Sequence, residues 1–440
     1  MKKILFLSYY WPPSGGPGVQ RALKFVKYFP DFNIFPTVVT VDENQASYPL
    51  IDKSLNKEVS SKLKVIRTAS FEPLSIYRRF NKRKEIPYSG FVNIDKNTFF
   101  QKISRFIRGN FFIPDARVGW VNYAYKSALK ELSSQKIDAI ITTSPPHSSQ
   151  LIGLKLKTKT GLPWIADLRD PWTDIFFYND FYHLPYAKRL DKKYERQVLE
   201  KADHIIVTSQ ATKELYLTKS DQLKADKISV IPNGYDEFDF AKKVSFSEKE
   251  FIITYSGTIA DQQQIDTLLK AISNIRKKHA STPIKLRFVG NVSEGIQGKL
   301  TKNGIDDICE FVGYLPHADS IDYLLKSSIL LLVIPKVKNN SGLSATKALS
   351  LNVPGKIFEY LASRKPIICI GPEDCNVNDY INECAAGKTF DYENIKVEDY
   401  LEELFLKWKE NPNLNLSNNE YKKYSRKELS SQFSEIIKGL

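Results

Sequence analysis

Two stretches of this sequence end an apolar run and carry reactive side chains among turn-forming residues. One is Thr143-Ser144-Pro145-Pro146-His147-Ser148-Ser149; the other is Ala166-Asp167-Leu168-Arg169-Asp170-Pro171-Trp172. Both read as loops at strand ends. An imidazole or carboxylate in such a place can orient a hydroxyl or move its proton, and an arginine can hold an anion. His147, Asp167, Arg169 and Asp170 are therefore the candidate catalytic residues. The same Arg between two carboxylates also reads as an ion-pair network that shapes the loop, and His147 as a capping or core histidine.

Three further turns suit a phosphorylated ligand. Trp11-Pro12-Pro13-Ser14-Gly15-Gly16-Pro17-Gly18 precedes a helical pattern from Val19 to Phe29. Glycines let backbone approach a ligand, Pro17 suits a first helical turn, and the helix start offers N–H groups to an anion. The spacing is neither the Walker pattern nor GxGxxG, which disfavours a standard ATP or NAD site. Tyr255-Ser256-Gly257-Thr258 is a second strand–Gly–helix turn. Farther on, Val353-Pro354-Gly355 opens a helix with Lys356 in its first turn and Glu359 on the same face. A lysine at a helix start suits a diphosphate, and a nearby carboxylate suits a pair of ribose hydroxyls. The plainer alternative is a surface ion pair worth a few tenths of a kcal/mol.

These loops need strands to hold them. Across the 440 residues, short β-branched or aliphatic runs alternate with longer helical patterns. The runs in the first half are 3–7, 37–41, 64–68, 139–143, 164–168, 204–208 and 228–231. Those in the second half are 251–255, 285–289, 309–312, 329–334 and 366–370. Such alternation predicts α/β architecture with parallel sheets, and the length predicts two domains. The rhythm breaks at Asn233-Gly234 and the charged stretch 242–250, read as a linker. The expected division is an N-terminal domain 1–240, a C-terminal domain 241–410 and a helical segment 411–440 that packs back on the body. In doubly wound sheets ligands bind at the carboxyl ends of strands, where these loops fall.

Charge narrows the partners. The net charge is +14, and residues 1–240 hold 37 Lys and Arg against 25 Asp and Glu. The remainder is nearly balanced, so the first half carries a positive field that implies an anionic partner. Residues 76–112 break the α/β rhythm. There Phe99, Phe100, Ile103, Phe106 and Ile107 recur at helical spacing among Lys102, Arg105 and Arg108, downstream of Arg78, Arg79, Lys82, Arg83 and Lys84. The segment reads as an amphipathic helix for an anionic membrane surface or as a helix packed on its domain. Nucleic acid is disfavoured, because no recognisable binding module accompanies the charge. No apolar stretch is long enough for a spanning helix, and the run Ile4 to Trp11 meets Pro12-Pro13 rather than a cleavage site. Four cysteines show neither metal nor disulfide spacing, so a reducing, cytoplasmic compartment is expected. No metal is expected.

With those residues in place, the chain resembles the GT-B glycosyltransferases, specifically the retaining glycosyltransferase family 4. The resemblance is carried by the Gly15-Gly16 loop, Lys201-Ala202-Asp203-His204-Ile205-Ile206-Val207-Thr208-Ser209 and Val230-Ile231-Pro232-Asn233-Gly234-Tyr235-Asp236. Ser256-Gly257-Thr258, Phe311-Val312-Gly313-Tyr314-Leu315 and the 356–367 stretch complete it. It implies two Rossmann-like, doubly wound domains with a cleft between them. It also implies transfer of a sugar from a nucleotide-sugar donor, UDP- or GDP-linked, to a glycan or lipid-linked acceptor, with the anomeric configuration retained. The loops TSPPHS and DLRDPW resemble a bacterial surface-polysaccharide branch, working at the inner face of the plasma membrane.

By the same resemblance, Gly15 and Gly16 would lie against the donor sugar and diphosphate. Glu359 would hold the ribose, and Gly313, Tyr314 and Leu315 would lie beside the nucleobase; Gly257, Thr258 and Lys356 are expected at the diphosphate from the chemistry of their own turns. Three positions depart from the family pattern. Leu351 stands where the first carboxylate of Glu-x7-Glu would fall. The basic pair expected after Gly257 is absent from Thr258-Ile259-Ala260-Asp261-Gln262, leaving Lys356 as substitute. Arg169 occupies the place of the family's histidine, with His147 in the preceding loop as the nearest alternative. A nucleotide-sugar 2-epimerase on the same fold is the alternative enzyme.

Overall fold

The computed structural model describes residues 1–72, 99–241, 249–336, 351 and 353–440. The basic cluster at 78–84, most of the 242–250 linker and Asn352 lie outside the described residues. The chain forms two compact units, residues 1–233 with 426–440, and residues 234–425. The crossing thus falls at Asn233-Gly234 rather than after residue 240. The closing segment is divided: 411–425 stays with the second unit, while the helix Arg426–Gly439 belongs to the first.

In the first unit, seven strands are β1 Lys2–Leu7, β2 Ile34–Val41, β3 Lys64–Thr68, β4 Ala139–Ser144, β5 Trp164–Leu168, β6 His204–Val207 and β7 Ile228–Val230. They form one parallel sheet in the order β3-β2-β1-β4-β5-β6-β7. Every residue of β4 and β5 is buried, as expected for strands covered on both faces. Alternation along β1 divides the core. Leu5 and Leu7 join Trp120, Ile152 and Trp164 on one face; Ile4 and Phe6 join Phe25 and Phe29 on the other. The terminal helix completes the second face by setting Phe433 edge-on to Phe25 and Phe29, at 5.2 and 5.3 Å.

The second unit repeats the plan with β8 Phe251–Ser256, β9 Ile284–Val289, β10 Cys309–Gly313, β11 Ile329–Val333, β12 Ile367–Ile370 and β13 Gly387–Phe390. Their order is β10-β9-β8-β11-β12-β13, again all parallel. The sequence reading missed β13, a four-residue edge strand whose Gly-Lys-Thr start lacks an apolar run. In both sheets the winding direction reverses beside the first strand: at β1/β4 in one unit and β8/β11 in the other. A crevice opens at the carboxyl ends of such a reversal. No helix among the described residues is long and apolar enough to cross a membrane.

Candidate active site

At the first reversal, the loop after β1 is fixed before any ligand arrives. Gly15 N–H donates to Leu50 O (2.9 Å), Asp52 N–H to Pro13 O (2.8 Å), and Arg67 Nη2 to Pro12 O (3.0 Å). Gly15 therefore anchors the loop with its own amide. Gly16 has φ +93°, a region that favours glycine, and leads into the helix Pro17–Tyr28 with Pro17 in the first turn. No acidic residue occupies that turn, so the helix start keeps its positive character.

The loops after β4 and β5 close on this helix through Arg169. Its guanidinium donates to three backbone carbonyls: Nε to Ser144 O (2.8 Å), Nη1 to Gly18 O (2.7 Å) and Nη2 to Pro145 O (3.0 Å). Its own carbonyl accepts from Thr208 Oγ1 at 2.7 Å. Arg169 thus ties three strand-end loops together, and burial lowers its pKa against the pull of Asp167 and Asp170. It does not pair with those carboxylates. Asp167 instead belongs to Arg21, whose Nη2 lies 2.8 Å from Oδ1, and it also accepts from Thr143 Oγ1 at 2.7 Å. Arg21 Nη1 continues to Pro232 O (2.7 Å), fixing the middle of the VIPNG stretch.

His147 and Asp170 are differently placed. The His147 ring stacks on Trp172 with centroids 4.6 Å apart, and its Nδ1 is buried without a partner. Burial pushes its pKa down to about 4, so the ring is neutral near pH 7. The turn below it is capped by Asp115, which accepts from Ser148 N (2.8 Å) and Oγ (2.6 Å). Asp170 is half-buried, and its backbone carbonyl accepts from Tyr216 Oη at 3.3 Å. Desolvation raises the pKa of its carboxyl, with Arg169 opposing. Trp172, which holds His147, is itself fixed by Nε1–H donation to Asp191 (2.8 Å). Burial raises Asp191 to about 7.

At the second unit's reversal, Gly257, Thr258 and Lys356 meet. The helix Lys356–Ser363 sends Lys356 Nζ to the end of β8, where it donates to Ser256 O (2.8 Å) and Tyr255 Oη (3.1 Å). The ammonium sits 4.3 Å from the centroid of the Tyr255 ring, a cation–π distance. Tyr255 Oη in turn donates to Thr258 O at 3.0 Å. Gly257 has φ +111°, and a Cβ there would lie 3.0 Å from Lys356 Nζ. The positive φ calls for glycine, and an added Cβ would press on the ammonium. Lys356 and Glu359 do not pair with one another. Glu359 faces His317, with Oε1 3.7 Å from Nδ1. Gly313, at φ +79°, turns the chain from β10 toward that histidine; Tyr314 is exposed and Leu315 half-buried. Leu351, at the position of the family's first carboxylate, is buried.

Sequence reading found the loops but missed Arg21, Tyr255, His317 and Asp239 as their supports. Arg21 had one visible signal, a lone charge between Val19 and the apolar positions Ala22, Leu23, Phe25 and Val26. His317 and Asp239 are 78 residues apart and carried none.

Residues 91–237 match Glycosyltransferase Family 4, and residues 236–427 match Glycosyl transferases group 1. An uncharacterized glycosyltransferase of Methanocaldococcus jannaschii is 25% identical over 141 residues, 29% of this chain. That alignment covers 35% of the relative's length, about a third of it. Among solved structures, sucrose-phosphate synthase from Thermosynechococcus elongatus superposes with a TM-score of 0.61 at 15% identity, covering 100% of this chain and 99% of that one. Anabaena Alr3699/HepE in complex with UDP gives 0.58 at 12%, covering 100% of both chains. The lipopolysaccharide outer core galactosyltransferase WaaB gives 0.56 at 14%, again over 100% of both. Two parallel-sheet units, the strand-end loops and these matches agree: the chain belongs to the GT-B glycosyltransferases, with a Family 4 region followed by a group 1 region.

Proposed function

We propose that this enzyme moves a sugar from a nucleotide-sugar donor, UDP- or GDP-linked, to a glycan or lipid-linked acceptor with retention of configuration. The observation that carries this reading is the Lys356 ammonium, held beside Gly257 at the carboxyl end of β8 with Glu359 on the same helix. A diphosphate leaving group gathers negative charge as the glycosidic bond breaks. A positioned ammonium and helix-start N–H groups stabilise that charge without a metal. Glu359 accepts the ribose hydroxyls, Thr258 and Gly257 border the diphosphate, and Gly313, Tyr314 and Leu315 border the base. The UDP held by the Anabaena protein supports a nucleotide donor.

In the first unit the roles divide by what each side chain already holds. Asp167 and Arg169 are committed to Arg21 and to backbone carbonyls, and act as positioning residues. Asp170 and His147 orient the acceptor or donor sugar, with Gly15 and Gly16 shaping the loop beside them. The acceptor hydroxyl attacks from the face the diphosphate leaves, which retains the configuration.

The helix Phe99–Phe111 supports a contact with an anionic membrane at the cytoplasmic face, in cell-surface polysaccharide assembly. Gly109 and Asn110 seat it on the 181–184 segment, through Asn110 Nδ2 to Tyr182 O (3.2 Å) and Leu184 N to Asn110 Oδ1 (2.6 Å). Ile103, Phe106, Ile107 and Phe111 stay exposed, near exposed Tyr182 and Leu184. Side chains of Phe99 and Phe100 lie outside the described residues.

The deciding experiment is a thermal-shift screen with UDP, GDP, ADP and their sugar conjugates, with Mg²⁺ or with EDTA. Metal-independent stabilisation by one nucleotide family, then transfer to an acceptor with a retained anomeric signal in NMR, supports the reading. Donor consumption without transfer favours the epimerase.

A further inference from the structure

His317 links two carboxylates that lie far apart in sequence. It begins the helix His317–Leu325, with Nδ1 3.7 Å from Glu359 Oε1 and Nε2 3.2 Å from Asp239 Oδ2. Asp239 lies in the 3₁₀ turn Glu237–Phe240, so the chain Asp239–His317–Glu359 joins three separate elements. The three side chains are 20–27% exposed, shielded yet reachable by a ligand. The loop that carries Gly313, Tyr314 and Leu315 runs directly into His317.

This arrangement answers a problem that Glu359 would otherwise face. A glutamate on a helix surface samples several rotamers, and fixing one of them costs side-chain entropy. Recognition of neighbouring ribose hydroxyls requires the carboxylate oxygens in a single orientation. An imidazolium carries an N–H on each nitrogen, so Asp239 at 3.2 Å fixes the ring and the ring's charge steers Glu359 at 3.7 Å.

We propose that His317 is a positioning residue for the donor: anchored by Asp239, it orients Glu359 for the ribose and makes the unit select ribonucleotides over 2′-deoxyribonucleotides. The inference rests on Glu359 being the ribose carboxylate. It assigns His317 no contact with the reacting atoms.

Isothermal titration of the full chain with UDP, 2′-deoxy-UDP, GDP and 2′-deoxy-GDP tests it. The wild type is expected to prefer the ribose form of its base by about tenfold, the size of one charged hydrogen bond. His317→Ala should weaken that form about fivefold, leave the deoxy form within about twofold, and so collapse the preference. His317→Gln, whose amide can bridge two carboxylates, should restore part of it. If His317→Ala keeps the preference while Glu359→Ala loses it, the positioning role is overturned and the ribose role stands. If Glu359→Ala keeps the preference, or the wild type binds none of the four, both fall. Equal weakening of ribose and deoxy forms by His317→Ala would mark a scaffold residue and overturn the proposal.

Discussion

Arg21 and Asp167 meet side-on in the first unit, with Nη2 2.8 Å from Oδ1 and Nε 3.2–3.3 Å from both carboxylate oxygens. Both side chains are buried, and between them they fix the end of β5, Thr143 on β4 and the carbonyl of Pro232. The DLRD stretch therefore contributes its first carboxylate to the scaffold.

That assignment has a stability consequence. Asp167→Asn leaves the Arg21 charge buried without its counter-ion and should destabilise the first unit by about 3–5 kcal/mol. Arg21→Met with Asp167→Leu should recover much of the loss, since an apolar pair of similar size carries no desolvation cost. Urea unfolding followed by tryptophan fluorescence reads both. An unchanged midpoint for Asp167→Asn, with activity lost, would return Asp167 to the chemistry.

Asp170→Asn should behave in the opposite way. The backbone bond from Tyr216 survives the change, so the thermal midpoint should hold. Loss of an orienting carboxylate should lower kcat about 100-fold. Parallel measurement of kcat and melting temperature separates this from a folding defect.

His147 predicts a pH dependence of known sign. Its folded-state pKa lies at about 4, below the ordinary value of 6.5. As pH falls through that window the unfolded chain binds a proton that the folded chain refuses, so its contribution to stability is lost. Above pH 6.5 it is fully present. The unfolding midpoint of the wild type should drop more between pH 7 and pH 5 than that of His147→Gln. In NMR, the His147 ring resonance should not titrate between pH 5.5 and 8.

The ammonium at the end of β8 makes a fourth prediction. Lys356→Met should weaken binding of the preferred nucleotide diphosphate about tenfold, and Glu359→Ala by a similar factor, with folding retained. Gly257→Ala, strained at φ +111° and crowding Lys356 Nζ, should weaken it too. Calorimetry against the nucleotide checks all three; undiminished affinity in Glu359→Ala removes the ribose assignment.

The exposed helix face can be tested with vesicles. Phe106, Ile107 and Phe111 changed together to Ser should leave the fold intact, because all three side chains are exposed. Sedimentation with anionic vesicles should fall several-fold, and more steeply than with neutral ones. Unchanged sedimentation of the folded variant would sink the membrane contact.

Much of this protein was legible before any coordinates. Strands buried on both faces write themselves as continuous apolar runs, and twelve were found within a few residues of their observed bounds. Gly16 and Gly257 announced their turns because so few residues tolerate those backbones, and Pro17 announced a helix start because its fixed φ suits the first turn. The helix beginning at Lys356 was likewise marked by its Pro-Gly start. The short polar strand β13 was not, since its pairing with β12 decides it and its own residues do not.

What sequence left open was which charge answers which. Adjacency in DLRD suggests Arg169 beside Asp167 and Asp170, yet β5 ends at Leu168, so Asp167 stays in the sheet while Arg169 stands on the loop beyond it. Arg169 binds carbonyls at the end of β4 and at the start of the helix after β1, while Asp167 takes a partner 146 residues away on that same helix. The same holds for Lys356 and Glu359, one helix turn apart but directed to Tyr255 and to His317. Local propensity and apolar period fix strands, helices and turns from neighbouring residues alone. Partners for buried charges are settled only when packing removes water and each group must take what the fold sets beside it.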